Sequence, residues 1–455
     1  MSHIVTNYDG GITAAPRAFV QPTCVEEIQA ILRDRKQYPS PVRAMGSYHS
    51  LTPCASSNGT MVSMARLNRV VNIDRERMLL TAEAGIHVID ASKALRAQGL
   101  QFRLNIEIGN MTLGSAACCH SKDALDGVEY GQFGSYLWGM KWVDPSGELR
   151  EANEDENPDL LRFMRASHGL SGIVVEVTFH IEPEEGAELT YLPRPVSDLT
   201  ADEVNGIIDR SEGLICWTVR RTSVFQTKKR IDRPGMFATV SAEIRHKLWN
   251  YLVAYTARNI EEEVPEDMRK GAMDADFSLI KSLYELLHRM GGITIHDADK
   301  TIDYRDTEPD ARYVFTFWSF PRAEWLRVLR EYLDFADLYF QKHGFRCNMP
   351  LGSYYIRRDD KSLLSYSADG DTFSIDPIHA PTDRDAWNRY LDAFNEFAFQ
   401  RGGTPLLNQS PRLTRAHVQA AYGERWNDFS ARVRAADPEG RMLNPFFAEL
   451  LAEAE

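Results

Sequence analysis

Three clusters of small residues constrain this chain more than any other feature. "AMGSYHS" (44–50), "EIGNMTLGSAACCHS" (107–121) and "ASHGLSGIVVEV" (166–177) each stand beside a predicted strand or helix end. Glycine and serine let backbones approach a ligand closely, and successive N–H groups in such turns form nests for anions such as a pyrophosphate. One cluster reads as a tight turn; three in one region read as a ligand cradle. The first also sets a titratable imidazole, His49, between Tyr48 and Ser50. A buried structural histidine, a metal ligand and a cofactor attachment point are all compatible with that placement.

Short amphipathic elements surround the clusters. Residues 24–38 place Val25, Ile28, Ile31 and Leu32 on one helical face, and 70–86 read as two strands joined by a charged turn. "HVIDASKALRAQGL" (87–100) is a predicted helix closed by Gly99, and "LWGMKWVDPSGEL" (137–149) a hairpin. In "IVVEVTFHIEP" (173–183), Val175, Val177, Phe179 and Ile181 alternate with Glu176, Thr178 and His180, the pattern of a half-buried strand. The charged break "EPEEGAE" follows. Beyond it, 241–290 are helix-rich, with Ile244, Leu248, Tyr251, Leu252 and Tyr255 forming an apolar stripe. Strands are predicted in 313–321 and 363–379, helices in 323–341 and 383–400, and a helical tail from 411. This is an α+β pattern; the regular βαβα alternation and the G-x-G-x-x-G of a dinucleotide Rossmann fold are absent.

Charge and cysteine usage narrow the function. A net charge of −13 argues against nucleic-acid or anionic-membrane partners, which need concentrated Lys and Arg. No apolar run approaches the roughly 20 residues of a membrane span. "MSHIVTNYDGG" has neither a basic n-region nor an apolar h-region, so no secretory leader and a cytoplasmic location are expected. The six cysteines, Cys118 and Cys119 adjacent among them, repeat no zinc spacing, so free thiols and no metal site are expected.

The clusters carry a resemblance. "VRAMGSYHS" is similar to V-R-x-x-G-x-G-H-S, "RLNRVVNIDRERMLLTAEAGI" to an L-N-x-V strand pair, "MTLGSAA" to T-L-x-G-A-I, and "HGLSGIVVEVTFHIEP" to G-x-L-G-V-V-T-E-V-T-x-x-V-x-P. In this order they resemble the FAD-binding domain of the vanillyl-alcohol oxidase / p-cresol methylhydroxylase (PCMH-type) superfamily, most closely its sugar-lactone and alditol oxidase branch. The tail "YGERWNDFSARVRAADPEGRMLNPFF" agrees too. The resemblance implies a two-domain PCMH-type fold: a FAD-binding domain at 1–184, an α+β substrate (cap) domain at 185–410, and a helical segment, 411–455, returning to the first domain.

It also implies site residues. His49 stands where the family joins an imidazole nitrogen to the flavin 8α-methyl; the alternative is that it packs against the flavin's dimethylbenzene edge. Arg43, Ala44, Gly46, Ser47 and Ser50 would donate to the pyrophosphate. Gly109, Thr112, Gly114, Ser115 and Cys119 would line the ribityl chain and pyrimidine end, and Gly169, Gly172, Ile173 and Val174 the adenine side. Two departures stand out: Tyr48 replaces a glycine, and "ACCHSKD" (117–123) replaces A-T-G-T-H-G, so that His120 stands for a small residue and either protrudes toward the flavin or is solvated.

The substrate half departs further. Phe317 stands where the sugar-oxidising relatives carry an acid, and Leu406, Leu407 and Gln409 replace the His, Trp and Lys of H-W-x-K. Losing those groups strips a polyol site of its hydrogen-bonding partners, and the aromatics of "FTFWSFP" offer stacking surface instead. Strand alternation lets one set of these aromatics face a pocket. Tyr354, Tyr355 and Arg357 in "GSYYIRRDD" are candidates to hold or deprotonate a hydroxyl, since an arginine beside a phenol favours its ionised form. The expected function is FAD-dependent oxidation of an alcohol-type carbon in a hydrophobic or aromatic small molecule, with oxygen as acceptor. The alternative is an aldonolactone or alditol oxidase; a flavin-binding module without turnover is a further possibility from another class.

Overall fold

A computed structural model describes residues 3–104, 106, 108–121, 129–232, 247, 249–295 and 312–452. The chain begins with a three-stranded parallel sheet in which Thr60–Ser63 lies between Ala18–Val20 and Val42–Met45. Parallel neighbours need a crossover. The helix Val25–Arg33 carries the chain from Ala18–Val20 past the central position to Val42–Met45, burying Ile28, Ile31 and Leu32 as its periodicity predicts.

A six-stranded antiparallel sheet follows, in which Ile173–Pro183 pairs with Leu137–Val143, Leu79–Glu83 and Leu100–Phe102. Val175, Val177, Phe179 and Ile181 point into the core, while Glu176, Thr178 and His180 stay half-exposed. Only Glu184 and Glu185 separate this strand from Gly186–Pro195, which belongs to another sheet. That third sheet runs Ile293–Ile295, Gly186–Pro195, Thr222–Ile231, Gly213–Val219, Leu351–Ile356, Thr372–Ile375, Trp318–Pro321, Thr404–Pro405, all pairs antiparallel. The helix Glu266–Arg289 packs on Gly186–Pro195, and Trp325–His343 on Thr372–Ile375. The whole is a two-domain α+β fold.

Three expectations need correction. The strand predicted over 313–321 is two strands: Val314–Phe315 pairs with Ile378–His379, and Trp318–Pro321 joins the large sheet. Of 363–379, only Thr372–Ile375 and Ile378–His379 are strand; the remainder turns. Tyr251, Leu252 and Tyr255 are exposed, because Asn250–Tyr255 is a π-helical turn that rotates Val253 and Ala254 inward instead. Ile244 and Leu248 of that stripe lie outside the described residues.

Late residues pack back on the first sheet. Val42 N–H donates to the Arg441 carbonyl (2.8 Å), and the fully buried Arg441 guanidinium donates to the carbonyls of Ile31 (2.8 Å) and Leu32 (3.2 Å). Asn444 Nδ2 donates to the carbonyls of Pro53 (2.9 Å) and Ser56 (3.0 Å).

Candidate active site

The three small-residue clusters meet around one cavity of about 1030 Å³, its open mouth included. Ala44 lines it from the strand Val42–Met45, and Gly46, Ser47, His49 and Ser50 from the turn that follows; Thr112, Gly114, Ser115 and Cys119 from the start and end of the helix Leu113–Cys118; Gly169, Gly172 and Val174 from the third cluster. The glycines are required here. A Cβ on Gly46 would lie 2.3 Å from Thr112 Oγ1, and one on Gly172, at φ +133°, would lie 2.3 Å from the Val143 carbonyl.

Arg43 also lines the cavity, yet its guanidinium faces the protein. All five N–H donors are engaged: Nε and Nη2 on the Cys54 carbonyl (3.1 and 2.7 Å), Nη1 on Gly169 (3.1 Å) and Met442 (3.0 Å), and Nη2 also on His168. Burial lowers its pKa from the usual arginine value. Arg43 therefore clamps three loops and leaves positive charge behind the cavity wall, while no carboxylate is among the lining residues described.

His49 is half-buried with the Tyr8 ring 5.0 Å away. Tyr48 occupies the left-handed region (φ +57°), the conformation that a glycine adopts without cost. Tyr48 also lines the cavity, and its side chain packs in a small cluster with Val5, Ala14 and Met61, where its hydroxyl bonds Ser56 Oγ (2.5 Å). The extra side chain is thus accommodated in that cluster. Ser47 Oγ donates to the Asn110 carbonyl and Ser50 Oγ to that of Thr52 (2.8 Å), so both hydroxyls brace loops.

Three residues expected at the cofactor do not line the cavity. Gly109 lies beneath the helix Val88–Arg96, its carbonyl accepting from Ile89 N–H (2.8 Å). Ile173 points into the core because strand alternation gives the cavity to Val174. His120 neither protrudes nor is solvated: it is buried, with Nε2 2.7 Å from Ser362 Oγ, and burial aided by Arg425 pushes its pKa down to about 3. Cys118 joins Cys119 at the wall, and a hydrogen bond between them leaves Cys118 the more acidic thiol.

A second cavity, of about 530 Å³ with its open mouth included, shares Ile108, Met111, Phe315 and Gln409 with the first. Trp217, Trp249, Tyr313, Tyr354 and Ile378 complete most of its wall, and no charged side chain is among the described residues that line it. Of the aromatics in 315–318, Phe315 reaches it. Phe317, beyond the break in the strand, packs in the core edge-to-face with Tyr366 (4.9 Å). Tyr354 reaches it as well, which alternation denies to Tyr355. The Tyr355 hydroxyl donates to Asp371 (2.6 Å) beneath the Arg322 guanidinium, and Arg357, beyond the strand end, is among the cations that hold Asp371 below the usual carboxylate range against burial. The tyrosine–arginine pair expected from the sequence is therefore not assembled at this cavity.

Sequence reasoning missed His168, Asn408, Trp217, Trp249 and Tyr313. His168 stood within a quoted cluster and Asn408 beside Gln409. The tryptophans carried no local signal, because a cavity unites them only after the sheet forms.

The donor set suits FAD. The cavity has glycines where a side chain would fill it, and presents buried polar atoms without a partner among the described residues, Asn408 Oδ1 and Gln409 Oε1. Fold and cavity together define a FAD-linked oxidoreductase. Residues 16–153 match the family model for a FAD binding domain, and residues 281–450 match that for D-arabinono-1,4-lactone oxidase. The chain is 23% identical to L-gulonolactone oxidase of Scyliorhinus torazame, over 98% of each chain. It is 22% identical to L-gulono-1,4-lactone dehydrogenase of Mycobacterium tuberculosis, over 99% of this chain and 100% of that one. A cholesterol oxidase from B. sterolicum has the same fold, with a TM-score of 0.79 at 14% identity over 99% of this chain and 97% of the other. These matches fit the sugar-lactone oxidase branch of the vanillyl-alcohol oxidase / p-cresol methylhydroxylase superfamily of FAD-binding oxidoreductases, which the sequence motifs resemble. Among the described residues no group of His, Cys, Asp or Glu is placed to hold a metal, and no helix is long and apolar enough to cross a membrane.

Proposed function

We propose that the protein oxidises an alcohol-type carbon of a small molecule with an apolar or aromatic body, with oxygen as the final acceptor. One observation carries the substrate class: the cavity adjoining the flavin cavity is walled by Trp217, Trp249, Tyr313, Phe315, Tyr354 and Ile378, without a charged group among its described lining residues. Bound FAD supplies the acceptor for the hydride leaving the donor carbon. The chain's part is to hold that carbon across Phe315 and Gln409, which both cavities share. Gln409, whose Oε1 has no partner among the described residues, accepts a hydrogen bond from the donor's hydroxyl there, and Tyr354 orients the same group. Apolar walls exclude water around it.

His49 is the residue through which the cofactor is attached in this reading. Its support is the cavity position and the left-handed Tyr48 that precedes it. Acid precipitation tests this: yellow colour retained in the pellet, and lost from the pellet in His49→Ala, is expected, and colour released from the wild-type protein would reduce His49 to packing.

A second reading, oxidation of an aldonolactone, is favoured by the match of 281–450 to the D-arabinono-1,4-lactone oxidase model, since that span contributes Tyr313, Phe315, Tyr354, Ile378 and Gln409. Anaerobic flavin bleaching by aromatic alcohols on one side, and by L-gulono-1,4-lactone and xylitol on the other, separates the two. Faster bleaching by the lactone would overturn the first reading, and bleaching by neither set would leave a binding module.

A further inference from the structure

His168 is an anomaly in the flavin cavity. It is 3% exposed, it lines the cavity, and neither Nδ1 nor Nε2 has a hydrogen-bond partner among the described residues. Its backbone is also in the left-handed region (φ +48°), where a residue with a Cβ is uncommon. A non-glycine residue with a strained backbone and an unsatisfied buried ring marks a position where something else repays both costs.

The surroundings hold the ring in place without satisfying it. His168 N–H donates to the Cys118 carbonyl (2.9 Å), and its own carbonyl accepts from Arg43. The Phe447 ring lies 5.6 Å from the imidazole on one contact and the His120 ring 6.2 Å on another. Burial first, then His120 and Arg43, drive the imidazole pKa well below its usual value, so the ring is neutral and offers one donor and one acceptor. Gly169 and Gly172 follow and line the same cavity, where the lack of a Cβ leaves the backbone open to close approach.

We propose that the His168 imidazole is a hydrogen-bonding contact for bound FAD, one ring nitrogen meeting a hydroxyl or phosphate oxygen of the cofactor's polar chain. The contact rests on FAD occupying this cavity. It would make His168 a binding residue that stabilises the loaded protein and leaves the unloaded one with an unsatisfied ring.

The test separates loading from folding. In a His49→Ala background, where no covalent link can mask affinity, apoprotein is titrated with FAD by quenching of flavin fluorescence, and its thermal midpoint is read without FAD. His168→Leu is expected to weaken FAD binding about tenfold, the scale of one lost hydrogen bond, with an apoprotein midpoint unchanged or higher. His168→Gln, which keeps a donor and an acceptor, should recover part of the affinity. Equal affinity in His168→Leu would overturn the proposal. So would a lowered apoprotein midpoint together with no recovery in His168→Gln, since that is the signature of packing alone. A His49→Ala protein that takes up no FAD at all would instead sink the cofactor reading on which the contact depends.

Discussion

The cavity that fits FAD is walled by turns and small side chains that a buried arginine ties together; its neighbour across Phe315 and Gln409 is walled by indole and phenol rings from separate strands. In the first, backbone geometry fixes the site, so a single added methyl group meets a carbonyl or a hydroxyl. In the second, side-chain shape fixes it, and the backbone only sets the spacing. The difference teaches which changes each tolerates: the cofactor cavity resists substitution, while the donor cavity can be reshaped one ring at a time.

Arg43→Leu should break this contrast most completely. It leaves the carbonyls of His168, Gly169 and Met442 without their donor, and that of Cys54 with Asn444 Nδ2 (3.2 Å) alone, at a cost of about 4 kcal/mol or more. Denaturant unfolding should show that loss together with failure to retain FAD. Gly172→Ala comes next, at about 2–3 kcal/mol, because its Cβ meets the Val143 carbonyl and its φ of +133° excludes a side chain; the unfolding midpoint measures it. Trp249→Ala sharpens the comparison from the other side: FAD loading should be unchanged while kcat/KM for an apolar donor falls about tenfold. Equal losses in loading and turnover would show that the two cavities are not separable.

The smallest effect is an acid one. Burial raises the Glu154 carboxyl, but His180, Arg165 and Lys361 outweigh it and hold the pKa at about 2. Arg165, in turn, is pushed down by its own burial, which the pair only partly offsets. A carboxyl depressed in the folded state contributes stability above its unfolded pKa, near 4.5, that is lost as pH falls toward 2. After discounting for partial exposure this is about 1 kcal/mol. Glu154 joins Arg165 to Lys361, which lies beyond the large sheet's first strands in sequence. Unfolding of wild type between pH 5 and 2.5 should therefore lose more stability than Glu154→Gln does.

The same contrast governs what was legible in advance. Val175, Val177, Phe179 and Ile181 announce a half-buried strand by alternation, and the clusters at 44–50, 107–121 and 166–177 announce a cradle because glycines at close approaches leave a local mark. Gly213–Val219 left none: buried on both faces, it has no alternation, and its partner Thr222–Ile231 ends in charged residues that hide a strand. Tyr354 and Tyr355 cannot both serve one cavity, because the strand that the sequence places there turns adjacent side chains to opposite faces. His120 and Phe317 look functional in one dimension because their burial against Ser362 and Tyr366 is made by distant segments.

The Arg43 clamp reaches from one end of the polypeptide toward the other. Its bond to Met442 spans 399 positions, and Asn444 closes on the carbonyls of Pro53 and Ser56 beside the His49 turn. During synthesis on the ribosome, the cofactor turn is made early and finished late. Pairings of such separation are slow to form, so the nascent turn waits, open, until Met442 and Asn444 have emerged. The His49 turn therefore gains these partners only after the intervening sheets have been synthesised.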